Sequence, residues 1–246
     1  VYSTTQKTII ASRLVFLNQC FFIHSLKVFF NKRISEQGIP DIIYAHFYDA
    51  AYSIMRVSKE YKIPVVVMEH SGRLMHGGLK GFQKRMFNYV ALNADKYLAT
   101  TSGLKQCISN QFSGDVSVEV IPNMVDDLFG YHKAPCNEQF IFSSIARFDY
   151  DKRIDLLIES FCDVFDENDN VVLRIGGTGE ESQRIKKLVH DNNRENQMYL
   201  LGRLTREQVL NELINCSGVV LPSRHETFVL IWREALCVGR PVITTD

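Results

Sequence analysis

Short apolar runs rich in β-branched residues alternate with amphipathic segments along most of this chain. In the second half the apolar runs are FIFSSI, NVVLRI, MYLLG, GVVL and PVITT, and segments of helical periodicity such as KRIDLLIESFCDVF and TREQVLNELINC separate them. The first half repeats the alternation, with runs such as DIIYAHF and PVVVMEH. Unbroken apolar strands between amphipathic helices indicate parallel sheets that are covered on both faces. The sequence therefore predicts an α/β chain of two Rossmann-like, doubly wound domains, which bind ligands outside the carboxyl ends of their strands.

The polar stretch GYHKAPCNEQ, residues 130–139, is the natural linker between the two halves. We place a first domain at residues 1–130 and a second at residues 131–246. The chain begins at Val1 without a methionine and stops at Asp246, directly after a predicted strand. We therefore expect a fragment that is truncated at both ends, so that each domain is incomplete.

Composition excludes several classes of protein. With 46% hydrophobic and 23% charged residues among 246, the chain is folded and globular rather than disordered. No signal peptide opens it, and no apolar run reaches the roughly 18 to 20 residues of a membrane-spanning helix, so we expect a cytoplasmic location. The six cysteines are dispersed without a C-x-x-C pair, so we expect neither disulfides nor a zinc site.

The first 35 residues are basic and rich in phenylalanine, and no acidic residue precedes Glu36. The basic residues are Lys7, Arg13, Lys27, Lys32 and Arg33, and the phenylalanines are Phe16, Phe21, Phe22, Phe29 and Phe30. This pattern suits a segment that lies on the inner, anionic face of a cell membrane. The alternative is a core helix with a solvated basic face, which is the commoner case because apolar helical faces usually bury against their own fold, and both interpretations stay open.

Two glutamates, Glu226 and Glu234, have seven residues between them and follow the predicted strand GVVL. A carboxylate at the carboxyl end of a strand, near a helix N-terminus, can accept charge-assisted hydrogen bonds from the vicinal hydroxyls of a sugar or ribose. Glu159 and Glu167 have the same spacing, but they lie along a helix and in a polar run. We interpret this second pair as solvated surface.

Arg147 and Lys152 stand where another predicted strand passes into a helix. Two cations beside free backbone N–H groups at such a junction form a site for a diphosphate. The intervening DYD, Asp149 to Asp151, resembles a pair of metal-binding acids, but adjacent cations would compete with a metal ion. We therefore predict no metal site there.

The stretch GGTGE contains Gly177 and Gly179 and joins a strand to a helix. Glycines at this position let a backbone approach a phosphate or a base closely, which predicts a ligand near this loop. In the first half, His46 and His70 each end a predicted strand. We interpret His46 as a structural residue and His70, which precedes a Ser-Gly turn, as the active-site candidate.

Taken together and in order, these stretches resemble the retaining glycosyltransferases of family 4, which have the GT-B architecture of two Rossmann-like domains facing a cleft. The resemblance covers about four-fifths of the chain. It is carried by VVVMEH, ADKYLATTS, VIPNMVDDLF, the Arg147 and Lys152 pair, GGTGE and PSRHETFVLIWREALCVGRPVITT. The chain departs from the family pattern at Val229 and Met124, where the family often has glycine.

The resemblance implies a role for each candidate residue. Glu226 would hold the hydroxyls of the donor sugar, Glu234 the ribose, and Arg147 with Lys152 the diphosphate. His70 would lie between donor and acceptor. The implied reaction moves a hexose from a nucleotide-diphosphate sugar, such as a UDP or GDP sugar, to an acceptor hydroxyl with the anomeric configuration retained.

The same resemblance implies synthesis of a bacterial surface polysaccharide or lipopolysaccharide, with a saccharide or lipid-linked saccharide as acceptor. No metal ion, cofactor or nucleic acid is expected. Two other functions remain open. A sugar-nucleotide epimerase of the same fold would bind the same donor without an acceptor, and a non-catalytic domain would only bind nucleotide.

Overall fold

The computed structural model describes residues 24–75, 78–112 and 116–245. The chain divides into two compact units, Val1–Pro122 and Asn123–Asp246. This division lies eight residues before the predicted boundary after residue 130. The reason is Phe129, which is buried against Val209 and Leu213 and so ties the segment before the linker to the second unit.

The first unit is built on a sheet of four parallel strands in the order β1-β2-β3-β4. Its elements are α1 (residues 24–37), β1 (Ile43–His46), α2 (Tyr48–Tyr61), β2 (Val65–Glu69), a 3-10 turn (Gly72–Leu74), α3 (Gly81–Asn93), β3 (Lys96–Ala99), α4 (Ser102–Gln111) and β4 (Val118–Val120).

The alternation of strands and helices in this unit follows from apolar side chains that pack between the sheet and its helices. Val67 on β2, Phe87 on α3 and Leu104 on α4 are fully buried in one core. Helix α2 ends because Lys62 adopts the left-handed conformation and its N–H bonds to the carbonyl of Ser58. The chain then enters β2 directly, which positions the carboxyl ends of β1 and β2 side by side.

The second unit has a sheet of five parallel strands in the order β7-β6-β5-β8-β9. Its elements are β5 (Phe140–Ile145), a 3-10 turn (Tyr150–Lys152), α5 (Ile154–Val164), β6 (Val171–Gly176), α6 (Ser182–Asp191), β7 (Met198–Gly202), α7 (Arg206–Asn215), β8 (Gly218–Leu221), α8 (Leu230–Val238) and β9 (Val242–Thr244). The direction of winding reverses between β5 and β8. Ligands of doubly wound sheets bind at the carboxyl ends of the two strands that flank such a reversal.

Two clusters of buried side chains in the second unit correspond to the two sets of helices. One contains Ile158 of α5 and Ile185 of α6, and the other contains Leu213 of α7 and Ala235 of α8. The strands contribute to both clusters, as expected for a sheet covered on both faces. The predicted α/β architecture of parallel sheets is confirmed.

Helix α8 begins later than the sequence pattern predicts. The pattern ETFVLIWREALCVG indicates a helix from Glu226, whereas the structure begins the helix at Leu230, after an extended Val229. Aromatic and β-branched residues at positions 227–229 favour helix only weakly. Glu226 is also bound to a side chain of another loop, so it stands four residues before the helix rather than within its first turn.

No helix among the described residues is long and apolar enough to cross a membrane. The five cysteines at positions 107, 136, 162, 216 and 237 are free thiols. Cys20, together with Lys7, Arg13, Phe16, Phe21 and Phe22 of the basic segment, lies outside the described residues.

Candidate functional site

The loops that follow β5 and β8 meet at the reversal of strand order. Their meeting point is an ion pair between Lys152 Nζ and Glu226 Oε1. The exposed fractions of the two side chains are only 22% and 17%, so both charges are partly withdrawn from water. The structure thus brings together the residue predicted to bind diphosphate and the residue predicted to bind sugar hydroxyls. The two residues are neighbours at the reversal of strand order, the switch point where a doubly wound domain binds its ligand.

Arg224, which the sequence analysis did not single out, joins the same two loops. Its backbone N–H donates to the carbonyl of Asp151 over 2.7 Å. Its guanidinium carbon lies 4.8 Å from the ring centroid of Tyr150, and Nη1 donates to the Tyr150 hydroxyl over 2.8 Å. The contact with Tyr150 crosses 74 positions of sequence, so no local motif could have revealed it. These contacts of Arg224 fix the loop of Lys152 against the loop of Glu226.

Arg147, the second predicted cation, projects from the loop after β5 with 78% of its side chain exposed. Its Nε donates to Asp149 Oδ2 over 2.7 Å, and this hydrogen bond with the nearby negative charge raises the pKa of the guanidinium above its ordinary value. Asp149 also accepts from the backbone N–H groups of Asp151 and Lys152. The first acid of DYD therefore shapes the turn and orients Arg147.

The described residues contain no group of three or more histidine, cysteine, aspartate or glutamate side chains that could hold a metal ion. Within the DYD stretch, the Asp149 carboxylate is engaged by Arg147 and by two backbone N–H groups.

The loop of Gly177 and Gly179 packs tightly against the backbone of the loop after β5. A Cβ on Gly177 would lie 1.8 Å from the carbonyl oxygen of Ala146, and a Cβ on Gly179 would lie 2.2 Å from that of Phe148. The two loops are also joined by a hydrogen bond of 3.0 Å from Phe148 N to Thr178 O. The glycines are required for this contact between loops, and their predicted contact with a ligand stays a prediction.

Glu234 lies within α8 and is 2% exposed. Its Oε1 accepts a hydrogen bond of 2.8 Å from Nη1 of Arg206, the first residue of α7. The guanidinium carbon of Arg206 lies 4.5 Å from the ring centroid of Phe129. The two glutamates of the spaced pair therefore have different partners, Lys152 for Glu226 and Arg206 for Glu234. Glu159 and Glu167 are both exposed, as predicted for solvated surface.

In the first unit, His46 is the last residue of β1 and His70 directly follows the neighbouring strand β2. Nδ1 of His46 lies 2.8 Å from Nε2 of His70, and the ring planes are within 16° of each other with centroids 5.1 Å apart. These values describe two nearly coplanar rings joined nitrogen to nitrogen, not a face-to-face stack. Burial, and then the charge of His46, lower the pKa of His70 below its ordinary value. His46, interpreted from sequence as structural, is the hydrogen-bond partner of the candidate His70.

Glu69, which the sequence analysis passed over, is fully buried beneath this histidine pair. It accepts four hydrogen bonds, from the backbone N–H groups of Tyr48, His70 and Ser71 and from the hydroxyl of Tyr97. Burial raises the pKa of this carboxyl above its ordinary value, while the hydrogen bonds oppose that shift. Glu69 anchors the backbone at His70. Its signal in the sequence was a carboxylate inside an otherwise apolar strand, VVVME.

Phe47, directly after His46, has φ of 71° and ψ of 146°. Such a backbone conformation is strained for a residue with a bulky side chain. A hydrogen bond from Phe47 N to the Met68 carbonyl, 2.9 Å long, helps to hold it. Strain of this kind is concentrated at functional sites, and here it lies beside the histidine pair.

Comparison with known families divides the chain into two parts, close to the division of its fold. Residues 8–127 match the model described as Glycosyltransferase Family 4, and residues 132–246 match the model described as Glycosyl transferases group 1. Only the first seven residues and positions 128–131 fall outside the two matches.

Among curated proteins, the chain is 25% identical over 228 residues to an uncharacterized glycosyltransferase of Methanocaldococcus jannaschii, MJ1178, covering 92% of this chain and 61% of that protein. It is 32% identical over 171 residues to the poly(ribitol-phosphate) alpha-N-acetylglucosaminyltransferase of Staphylococcus aureus, covering 68% of this chain and 33% of that protein. The chain thus spans about three-fifths or less of the length of these relatives.

Among solved structures, the chain superposes on TarM from Staphylococcus aureus with a TM-score of 0.71 at 25% identity. The superposition covers 93% of this chain and 44% of TarM. The arrangement of strands and helices in this chain is therefore one that a crystal structure already contains.

Proposed function

Because this chain belongs to the glycosyltransferases, with a family 4 half followed by a group 1 half and the GT-B fold, we propose that it moves a hexose from a nucleotide-diphosphate sugar to an acceptor hydroxyl with retention of configuration. The observation that carries the proposal is the contact of Lys152 with Glu226 at the reversal of strand order. A cation for a diphosphate and a carboxylate for sugar hydroxyls are adjacent there, as the two ends of a sugar diphosphate require.

In the proposed reaction, the acceptor oxygen forms a bond to the anomeric carbon while the bond from that carbon to the diphosphate breaks. The bonding electrons leave with the phosphate oxygen, and the proton of the acceptor hydroxyl is released to the departing diphosphate or to water. Arg147 and Lys152 stabilise the negative charge that grows on the leaving group. Glu226 orients the sugar, Glu234 binds the ribose, and His70 contacts the reacting groups.

The contacts of the site support these roles. Arg147 is exposed and oriented by Asp149, so its guanidinium is available to an anion in a defined direction. Lys152 is restrained by Glu226, and Arg224 keeps their loops together. Groups that are oriented before the substrate arrives need little reorganisation during the reaction, which is the basis of electrostatic catalysis.

We propose further that the reaction needs no divalent metal, since two cations serve the diphosphate. The poly(ribitol-phosphate) transferase among the relatives acts on a phosphate-containing polymer, and this supports a saccharide or polyol-phosphate acceptor of a bacterial surface polysaccharide. The acceptor, and a location on the cytoplasmic side of the membrane, are parts of the same proposal.

The test measures both release of nucleoside diphosphate and conversion of the donor sugar for a panel of UDP and GDP sugars, with and without lipid-linked saccharide acceptors. A transferase needs the acceptor, an epimerase converts the donor alone, and a nucleotide-binding domain does neither. NMR of the product distinguishes retention from inversion at the anomeric carbon. Activity is expected to survive EDTA. If EDTA abolishes turnover and Mg²⁺ or Mn²⁺ restores it, the role of Arg147 and Lys152 is wrong.

A further inference from the structure

The carboxylate of Glu234 is held by one side chain that comes from another helix. Arg206 donates to Oε1 from the first residue of α7, whereas Glu234 lies in α8. The Arg206 side chain is 45% exposed and that of Glu234 only 2%. No described residue donates a hydrogen bond to the other carboxylate oxygen, Oε2, which leaves that oxygen available to a ligand.

Arg206 is itself fixed from two directions. Its guanidinium lies over the ring of Phe129, a side chain that is 3% exposed, in a cation–π contact. Its backbone position is set by a capping box, in which the Thr205 and Gln208 side chains each bond to the other's backbone N–H. A planar guanidinium that is stacked on one face and held at its backbone points its N–H groups in fixed directions.

The ion pair between Arg206 and Glu234 affects how the site can bind a ribose. An isolated buried carboxylate is unfavourable, and a guanidinium partner compensates its charge while engaging one of its two oxygens in a charge-assisted hydrogen bond. Oε1 is then engaged by Arg206, and Oε2 is the oxygen left to accept a hydrogen bond from a ribose hydroxyl. The discrimination between a ribose and a deoxyribose depends on such a directed carboxylate, because only the ribose offers a hydroxyl at the 2′ position.

We infer that Arg206 is a positioning residue of the nucleotide site, which aims Glu234 and thereby sets the preference of the site for ribonucleotides over deoxyribonucleotides. The inference rests on the proposed function, in which Glu234 binds the ribose. It assigns a role to a residue of α7 that no spacing in the sequence connects to α8.

The experiment is calorimetric titration of the protein with UDP, GDP, CDP and ADP, followed by the 2′-deoxy form of whichever binds tightest. The wild type is expected to bind the ribonucleotide about ten- to a hundredfold more tightly, the range for one charge-assisted hydrogen bond. Arg206→Met should lose most of this ratio by weakening ribonucleotide binding, with deoxynucleotide binding nearly unchanged. Arg206→Lys, which keeps the charge without the planar fork, should recover only part of it.

Arg184→Met is the matched control. Arg184 is also an exposed arginine that pairs with carboxylates, those of Asp155 and Glu181, and its loss should leave the ratio unchanged. If Arg206→Met lowers thermal stability but keeps the wild-type ratio, the arginine is only a structural partner of Glu234 and the inference is wrong. A wild type that binds ribo- and deoxynucleotides equally also overturns it, while leaving nucleotide binding intact. Failure to bind any nucleoside diphosphate would instead contradict the proposed function, and the inference with it.

Discussion

At the scale of single residues, the two spaced glutamates differ in what they touch. Glu226 pairs with Lys152 in a loop at the switch point, whereas Glu234 pairs with Arg206 inside α8. The parts of the donor that the two glutamates are proposed to bind also differ. The sugar beside the breaking bond changes during the reaction, and the ribose does not. Interactions that are equal in the ground and transition states affect KM, and those that strengthen in the transition state affect kcat.

We therefore expect Glu226→Ala to lower kcat by around a hundredfold, the cost of misplacing a reacting group by about 1 Å. Glu234→Ala should mainly raise KM for the donor and leave kcat within a few-fold. Steady-state kinetics at saturating acceptor measures both constants. Glu159→Ala and Glu167→Ala have the same spacing and lie exposed, so neither should change either constant. Equal kcat losses at Glu226 and Glu234 would refute the division of roles.

The histidine pair leads to a prediction about pH. The pKa of His70 is lowered by burial and by the charge of His46, so the folded protein resists protonation of this ring. Because the unfolded chain binds that proton more readily, the stabilising contribution is present above the ordinary histidine pKa of about 6.5 and is lost as pH falls toward the lowered value. His46→Ala removes the repulsion between the rings and should raise the pKa of His70.

An NMR titration of the histidine ring signals measures this change directly. His190→Ala is the control, since His190 is exposed and pairs with Glu195, outside the histidine pair. The pKa of His70 should be the same in the wild type and in this control. An unchanged His70 titration in His46→Ala would show that burial alone lowers its pKa.

At the scale of elements, the loop between β6 and α6 fits against the loop after β5 only because two of its residues lack side chains. Gly177 has φ of 143°, and a Cβ there would meet the Ala146 carbonyl at 1.8 Å. Gly177→Ala must therefore move backbone. Overpacking costs about 1 to 3 kcal/mol, and a strained backbone adds a cost of similar size. The free energy of unfolding should therefore fall by at least the overpacking cost.

Urea denaturation of the two variants Gly177→Ala and Gly130→Ala measures the effect. Gly130 is exposed and lies in the same compact unit, and a Cβ added to it would meet no other atom within 4 Å, so its substitution should be nearly neutral. A Gly177→Ala protein as stable as Gly130→Ala would show that the two loops do not need their close contact.

At the scale of the whole molecule, the described part of α1 bears on the membrane interpretation. Val28 and Phe29 are 57% and 58% exposed, so apolar side chains of this helix reach the surface. Lys27 pairs with Glu60 of α2 over 2.9 Å, whereas Lys32 and Arg33 lie 3.8 and 4.0 Å from Glu36 of the same helix, and the Arg33 guanidinium also lies over the Phe29 ring. We propose that this exposed basic and aromatic surface binds an anionic membrane, where a lipid-linked acceptor would be found.

In sedimentation with anionic liposomes, the protein should pellet with the liposomes at low salt, and the pelleted fraction should fall as the salt concentration rises. Changing both Lys32 and Arg33 to glutamine should weaken binding, at about 1 kcal/mol or roughly fivefold for each basic residue near the surface. The same change at Lys186 and Lys187 of α6 is the control for net charge. Equal recovery with neutral and anionic vesicles would favour the alternative of a core helix with a solvated basic face.

Much of this protein follows from its sequence alone. Periods of two and of 3.6 residues are local properties, so the runs FIFSSI and NVVLRI and the helical segments between them indicate an α/β chain with parallel sheets. The same reasoning puts Arg147, Lys152, Glu226 and His70 at the carboxyl ends of strands, because a strand end is visible in a short window of residues. The helix at Glu234 is visible in the same way.

Only the tertiary structure decides which of these strand ends meet, because the contacts join positions that are far apart in the chain. Lys152 reaches Glu226 across 74 positions, and Glu234 takes Arg206, 28 positions away, as its partner. The order of strands brings the first pair together, since β5 lies beside β8 only after the sheet reverses its winding. The later start of α8 and the packing of Phe129 on the second unit have the same origin, since long-range packing outweighs the weak local preferences of a few residues.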